Sequence, residues 1–275
     1  MTTTSTALAN AFPSNGRWTP EQTKLAFELY CQTPFGRIDS RNKRIVELAT
    51  LLGRTPSAVA MKCLNIASID PLVAASGRAG LGNASSLDQE TWDEFHADWE
   101  RLTSECEQLR QHLLLASGQS QALPRGVDDK FELTDFSGET RDAIVQQRVK
   151  QGFFRRAVLS SYRDRCCISG LSDKRLLVAS HIVPWSADKA NRLNPSNGLC
   201  LSVIHDKAFD SHLFTLSDDW QVVLSERIKA SKDTFLREVF WPIDGKQIEM
   251  PERFAPDPTF IAKHRHIMVS SYLAD

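Results

Sequence analysis

The chain has 275 residues, 41% of them hydrophobic and 24% charged, with a formal net charge of −1. That balance excludes a disordered or fibrous protein and fits about two globular domains of ~150 residues each. No apolar run reaches the ~18 residues of a membrane span, and the opening MTTTSTALANAFPSNG has neither the basic start nor the long apolar centre of a secretory signal. Residues 1-16 are expected to be a disordered tail. Six cysteines without regular spacing predict reduced thiols and a cytoplasmic setting.

In chain order, Thr19-Pro20-Glu21-Gln22 predicts a helix start, with Thr19 as cap and Gln22 closing a capping box. A second helix is predicted over about Ser40 to Leu52 and ends at Gly53. Thr55-Pro56 starts a third, running towards Ile66. Helix, short glycine turn, helix is the helix-turn-helix pattern. The stretch LLGRTPSAVAMKCLN also resembles the last two helices of Myb/SANT-like DNA-binding domains. That resemblance makes the third helix the reader, with Arg54, Thr55, Ser57, Lys62 and Asn65 as its DNA-facing polar residues. An ordinary three-helix bundle with a solvated polar face, or one that docks protein, is the competing reading.

Residues 70 to 86 read as a Gly/Ala/Ser-rich connection. Asp88 to Leu115 reads as one long helix with Trp92, Phe95, Trp99, Leu102, Leu109 and Leu113 near one stripe, suited to a core or a homodimer seam. The expected domains are therefore a helical DNA- or partner-binding domain over 17-115, a linker over 116-140 and a second domain over 141-275. From Arg141 to Arg175 there are nine Lys/Arg against three Asp, a local basic patch of the kind that binds phosphate backbones. Arg155 and Arg156 lie on a helix whose other face carries Phe153, Phe154, Val158 and Leu159.

The stretch Cys166 to Val223 holds the chemistry. Val178 and Ala179 predict a strand that delivers His181, and Asn191 to Gly198 is turn chemistry around Asn197. Ser202 to Asp210 predicts a short helix capped by Ser202. Asp206 and Asp210 are four apart, so both carboxylates share a face and suit a hard divalent cation. His205 is turned about 100° away from Asp206. A histidine from the neighbouring strand is placed to act as a general base beside that metal.

This order of residues resembles the HNH, or ββα-metal, nucleases: His181 in SHIVPW, Asn197 in NPSNGLCL and Asp206 in HDKAFD. The lead-in FFRRAVLSSY followed by CCISG resembles restriction-type members. The resemblance covers roughly Arg148 to the C-terminus and implies an α+β protein whose C-terminal domain hydrolyses DNA phosphodiester bonds, in prokaryotic restriction or phage defence. It makes His181 the base and Asn197 its positioning partner. Asp206 and Asp210 stand nine and thirteen positions after Asn197, as two ligands do in colicin-type members, and would hold one divalent ion, Mg²⁺ or else Mn²⁺. His205 is the rival metal ligand. Arg192 and, on a final helix over Pro258 to Leu273, Arg265 are candidate phosphate contacts. Two departures from the family matter. Ser180 stands where many members carry a further ligand, and the paired CxxC motifs of a structural zinc are absent, so no zinc is expected. Ser180 also motivates the alternative, a DNA-binding regulator or adaptor with an inactive HNH-like domain. The expected substrate is duplex DNA, with no membrane partner.

Overall fold

The computed structural model describes residues 16–77, 82–117 and 138–272. The expected tail over 1-16 and the expected linker over 116-140 lie outside these residues, save for their ends. The chain divides into two compact units, Met1–Phe153 and Phe154–Asp275.

The first unit is helical. Helices α1 (Pro20–Cys31) and α3 (Pro56–Ala67) begin at the predicted caps, whereas α2 (Lys43–Leu52) begins three residues after the predicted Ser40, where Asn42 caps it. Thr19 accepts from the Gln22 N–H and completes the capping box. Gly53 ends α2 at φ 63°, a left-handed conformation that glycine adopts without strain. Thr55 caps α3 through the Ala58 N–H. Two expectations are corrected here. The connection over 70 to 86 contains a short helix, α4 (Pro71–Ala75), capped by Asp70. The single long helix from Asp88 is two, α5 (Ser86–Ala97) and α6 (Trp99–Ala116). Asp98 breaks them: its backbone leaves the helical region (φ −155°, ψ 85°) and its side chain caps α6 through the Arg101 N–H. The apolar stripe runs across the break in phase. Phe95, Trp99 and Leu102 are buried in the unit's own core, with Phe95 stacked on Phe27 at 4.4 Å. The surface of these three is covered within the unit, while Trp92 and Leu109 of the same stripe are half-buried.

Helix α7 (Gly138–Ser161) contains the boundary between the units and begins inside the expected linker. The second unit then builds a small antiparallel pair, β1 (Leu177–His181) and β2 (Gly198–Ser202), which leads directly into α8 (Val203–Asp210). A second pair, β3 (Phe214–Leu216) and β4 (Val222–Leu224), forms an antiparallel hairpin. Short helices α9 (Glu226–Lys229) and α10 (Thr234–Phe240) follow, and α11 (Pro258–Tyr272) closes the order. The core joins Phe154 and Val158 of α7, Leu199 and Leu201 of β2, Phe209 of α8 and Phe214 of β3, all buried. All six cysteines are buried and free of disulfides. Among the described residues no helix is long and apolar enough to cross a membrane.

Candidate nuclease site

The β1–β2 pairing sets His181 opposite Gly198 and Ser180 opposite Leu199. His181 ends β1, and its ring lies flat on Phe154 at 3.8 Å and edge-on to Trp185 at 5.6 Å. Its Nε2 is 2.9 Å from the Arg192 carbonyl oxygen. A carbonyl only accepts, so Nε2 carries the hydrogen and donates it, which leaves Nδ1 as the bare, basic nitrogen. Burial holds the imidazole below its ordinary pKa, opposed by the Arg192 carbonyl and the Asp206 charge.

Asn197 is fully buried and fastens the loop that follows β1. Its Oδ1 accepts from the Val183 N–H at 2.8 Å, and its Nδ2 donates to the Val183 carbonyl at 3.1 Å and the Asn191 carbonyl at 3.3 Å. The Asn191 bond holds the chain one residue before the carbonyl that orients His181. Asn197 thus acts on the imidazole through the loop rather than by touching it.

Helix α8 carries the carboxylates. Asp206 is half-buried and Asp210 more exposed. Burial raises the Asp206 carboxyl pKa, the nearby Asp210 charge raises it further, and Ser180 and Lys207 oppose the shift. Partial desolvation at the helix end also raises Asp210. The Asp210 charge thus hinders the ionisation of Asp206, a repulsion that a hard divalent cation would relieve. Ser180 Oγ is buried and makes no hydrogen bond of good geometry, yet sits close enough to Asp206 to favour its charged form. Among the described residues no group of three His, Cys, Asp or Glu side chains forms a ready metal cage. Two protein carboxylates with open positions for water or phosphate oxygen match the way Mg²⁺ is commonly held.

His205 points the other way. It is 5% exposed, with Ser202 Oγ and Cys166 Sγ at 3.1 and 3.4 Å from its Nδ1 and Phe214 and Phe240 around its ring. It fastens the start of α8 to the loop at Cys166 and does not share the carboxylate face. Burial pushes the Cys166 thiol up, but hydrogen bonds from His205 and Ser169 prevail and bring it down to about 6.

The candidate phosphate contacts are placed unevenly. Arg155 donates to the Leu177 and Lys174 carbonyls at 2.8 and 3.2 Å, so it anchors the entry to β1. Arg156 is half-buried on the same helix. Arg192 lies over Trp185 at 5.1 Å, beside the site. Arg265 is paired with Asp218. In the helical unit, Arg54 lies over Trp18 at 4.3 Å and donates to Gln22 and to the Gly16 and Arg17 carbonyls. Lys62 is buried against Asp88 at 2.6 Å. Thr55 is occupied as a cap, Ser57 is exposed and Asn65 is half-buried. Sequence reasoning missed Phe154 as the imidazole's platform and Gly198 beneath it.

Gly198 is required for space. A Cβ there would stand 2.4 Å from Val158 Cγ2 and 2.9 Å from Phe154 Cζ. Gly198→Ala is expected to destabilise the second unit by about 1–3 kcal/mol. It should also displace the Phe154 ring under His181, so the melting temperature and any His181-dependent activity fall together. A variant that melts like the wild type would show that the packing there is slack.

With this geometry in place, the likeness to known proteins is specific. Residues 166–217 match the family model of HNH endonucleases, a span that holds His181, Asn197, Asp206 and Asp210. The second unit therefore carries an HNH endonuclease domain. A comparison with curated proteins finds no match.

Proposed function

We propose that the chain is a divalent-metal-dependent endonuclease that hydrolyses DNA phosphodiester bonds. One observation carries the reading: the imidazole that ends β1, with its Nε2 held by the Arg192 carbonyl, stands on a strand packed against the carboxylate-bearing helix α8. In this mechanism Nδ1 of His181 takes a proton from water as its oxygen attacks phosphorus. An O–P bond forms and the bond to the 3′-oxygen breaks. Asp206 and Asp210 would hold one Mg²⁺ or Mn²⁺, which would stabilise charge on the phosphate and the leaving oxygen. Arg192 is proposed to contact a flanking phosphate.

The restriction-type lead-in supports a role against foreign duplex DNA, in restriction or phage defence, within the cytoplasm. The helical unit is proposed to contact DNA or a partner through Ser57 and Asn65, because Arg54 and Lys62 are engaged inside the unit. The buried Ser180, without a carboxylate or imidazole, favours one rival: a DNA-binding regulator or adaptor whose HNH domain is inactive.

Plasmid cleavage with Mg²⁺, with Mn²⁺ and with EDTA tests the reading, run beside Asp206→Ala and His205→Ala. Cutting is expected with either metal, and not in EDTA or with Asp206→Ala. His205→Ala should retain metal-dependent cutting where it folds. Cutting that persists in EDTA rules out the metal mechanism, and tight DNA binding without any cutting selects the regulator.

The acid limb supplies a second check. The base works only when neutral, so the rate falls as pH drops through the His181 pKa. Burial places that value below the ordinary ~6.5. More than half of the maximal single-turnover rate is expected to remain at about pH 6.5. A half-maximal rate at higher pH would contradict a buried base.

A further inference from the structure

Helix α8 has only eight residues. Isolated helices of that length are marginal in water, so the direction of its carboxylates depends on what fastens its two ends. The first end is held by the Ser202 cap and by His205 against Cys166. The last end is held from another element. His264 of α11 is 3% exposed, and its ring lies flat on Phe209 at 3.7 Å and 2°. Its Nε2 is 3.0 Å from the Phe209 carbonyl oxygen, and its Nδ1 is 2.9 Å from Thr215 Oγ1 on β3.

These contacts fix the tautomer. The Phe209 carbonyl can only accept, so Nε2 donates to it and Nδ1 accepts from the Thr215 hydroxyl. Burial pushes this imidazole down to about 4, which keeps it neutral at physiological pH, as the pairing requires. Phe209 stands next to Asp210, and its carbonyl is among the last four of the helix, which find no partner within it. The His212 N–H also reaches that carbonyl, at 2.9 Å.

We propose that His264 is a positioning residue: it clamps the last turn of α8 to α11 and β3 and thereby sets the geometry of Asp206 and Asp210 towards their metal ion. The proposal rests on the metal reading above. Groups that orient metal ligands from behind typically change metal affinity by about 10–100-fold when removed.

The full-length protein tests this without any cleavage assay. Mn²⁺ dissociation constants are measured from the free-ion electron spin resonance signal for the wild type, His264→Phe, His264→Gln and Thr215→Val. Amide exchange of Ser211, His212 and Leu213, whose N–H groups bond back into α8, is followed without metal. His264→Phe keeps an aromatic ring on Phe209 but loses both hydrogen bonds. It should weaken Mn²⁺ binding about 10-fold or more and speed the exchange of those three amides. His264→Gln retains one donor and one acceptor and should recover most of the affinity. Thr215→Val should lie between, and these two variants carry the test if His264→Phe does not fold. Wild-type binding with unchanged constants in the variants overturns the positioning role alone. Faster exchange with an unchanged constant does the same, because it leaves His264 a purely structural clamp. A wild type that binds no Mn²⁺ overturns the metal reading, and the positioning role with it.

Discussion

His181→Ala is expected to lower metal-dependent DNA cleavage by about 10²–10⁴-fold, the range over which a positioned general base accelerates proton transfer. The expectation follows from how the ring is held. Phe154 supports one face, Trp185 meets its edge and the Arg192 carbonyl fixes Nε2–H, so Nδ1 points in one direction before substrate arrives. Alanine removes the base and leaves Asp206 and Asp210 in place. The Mn²⁺ dissociation constant should therefore stay within about 3-fold of the wild type, a change under ~1 kcal/mol, while the rate collapses. A rate within a few-fold of the wild type would remove His181 from the chemistry. A parallel loss of metal binding would make it a ligand instead of a base.

The parts of this site written in local spacing were legible in the sequence. A strand end, a turn-rich stretch over 191-198 and two acids four apart on a capped helix each follow from period and punctuation, and together they single out His181, Asn197, Asp206 and Asp210 as candidates. The same period separates His205 from Asp206, and the buried side of α8 is where His205 lies. What sets the imidazole's tautomer was not legible, because it is a backbone carbonyl, that of Arg192, which any residue would supply. The role of Asn197 is half visible: a turn residue can be read, but not the loop it fastens. His264 carried a signal that a His-Arg pair obscures. It falls in phase with Phe260, Ile261 and Met268 on the buried stripe of α11, while Arg265 lies one step round and pairs with Asp218. The break at Asp98 was hidden because the aromatic stripe keeps helical phase across it, although Asp is a favoured N-cap residue and Glu100 follows it in the first turn.

Lys62 shows the same limit in the helical unit, and it carries the largest expected effect on stability. Its residue type and place on α3 suggest a hand for phosphate. In the structure its side chain is 5% exposed and that of Asp88 only 1%, with Nζ 2.6 Å from Oδ1. Asp88 Oδ2 is also satisfied, by the Ser85 N–H and hydroxyl at 2.8 Å each. Lys62→Ala strands a carboxylate without its counter-charge, and losing one partner of a buried pair costs about 3–5 kcal/mol. A typical domain holds only ~5–15 kcal/mol in total. The helical unit should therefore unfold at markedly lower denaturant, followed by far-ultraviolet circular dichroism and by tryptophan fluorescence, to which Trp18, 5.0 Å from Nζ, contributes. Replacing both charges, Lys62→Met with Asp88→Asn, should recover much of the loss, because the uncharged amide needs no counter-charge and its oxygen can still accept from the Ser85 N–H. A phosphate-binding lysine would behave in the opposite way. Its alanine variant would melt normally, bind all DNA sequences more weakly and lower the slope of log affinity against log salt by about one. The two patterns do not overlap, so one melt and one salt titration decide whether this position supports the fold or the DNA contact.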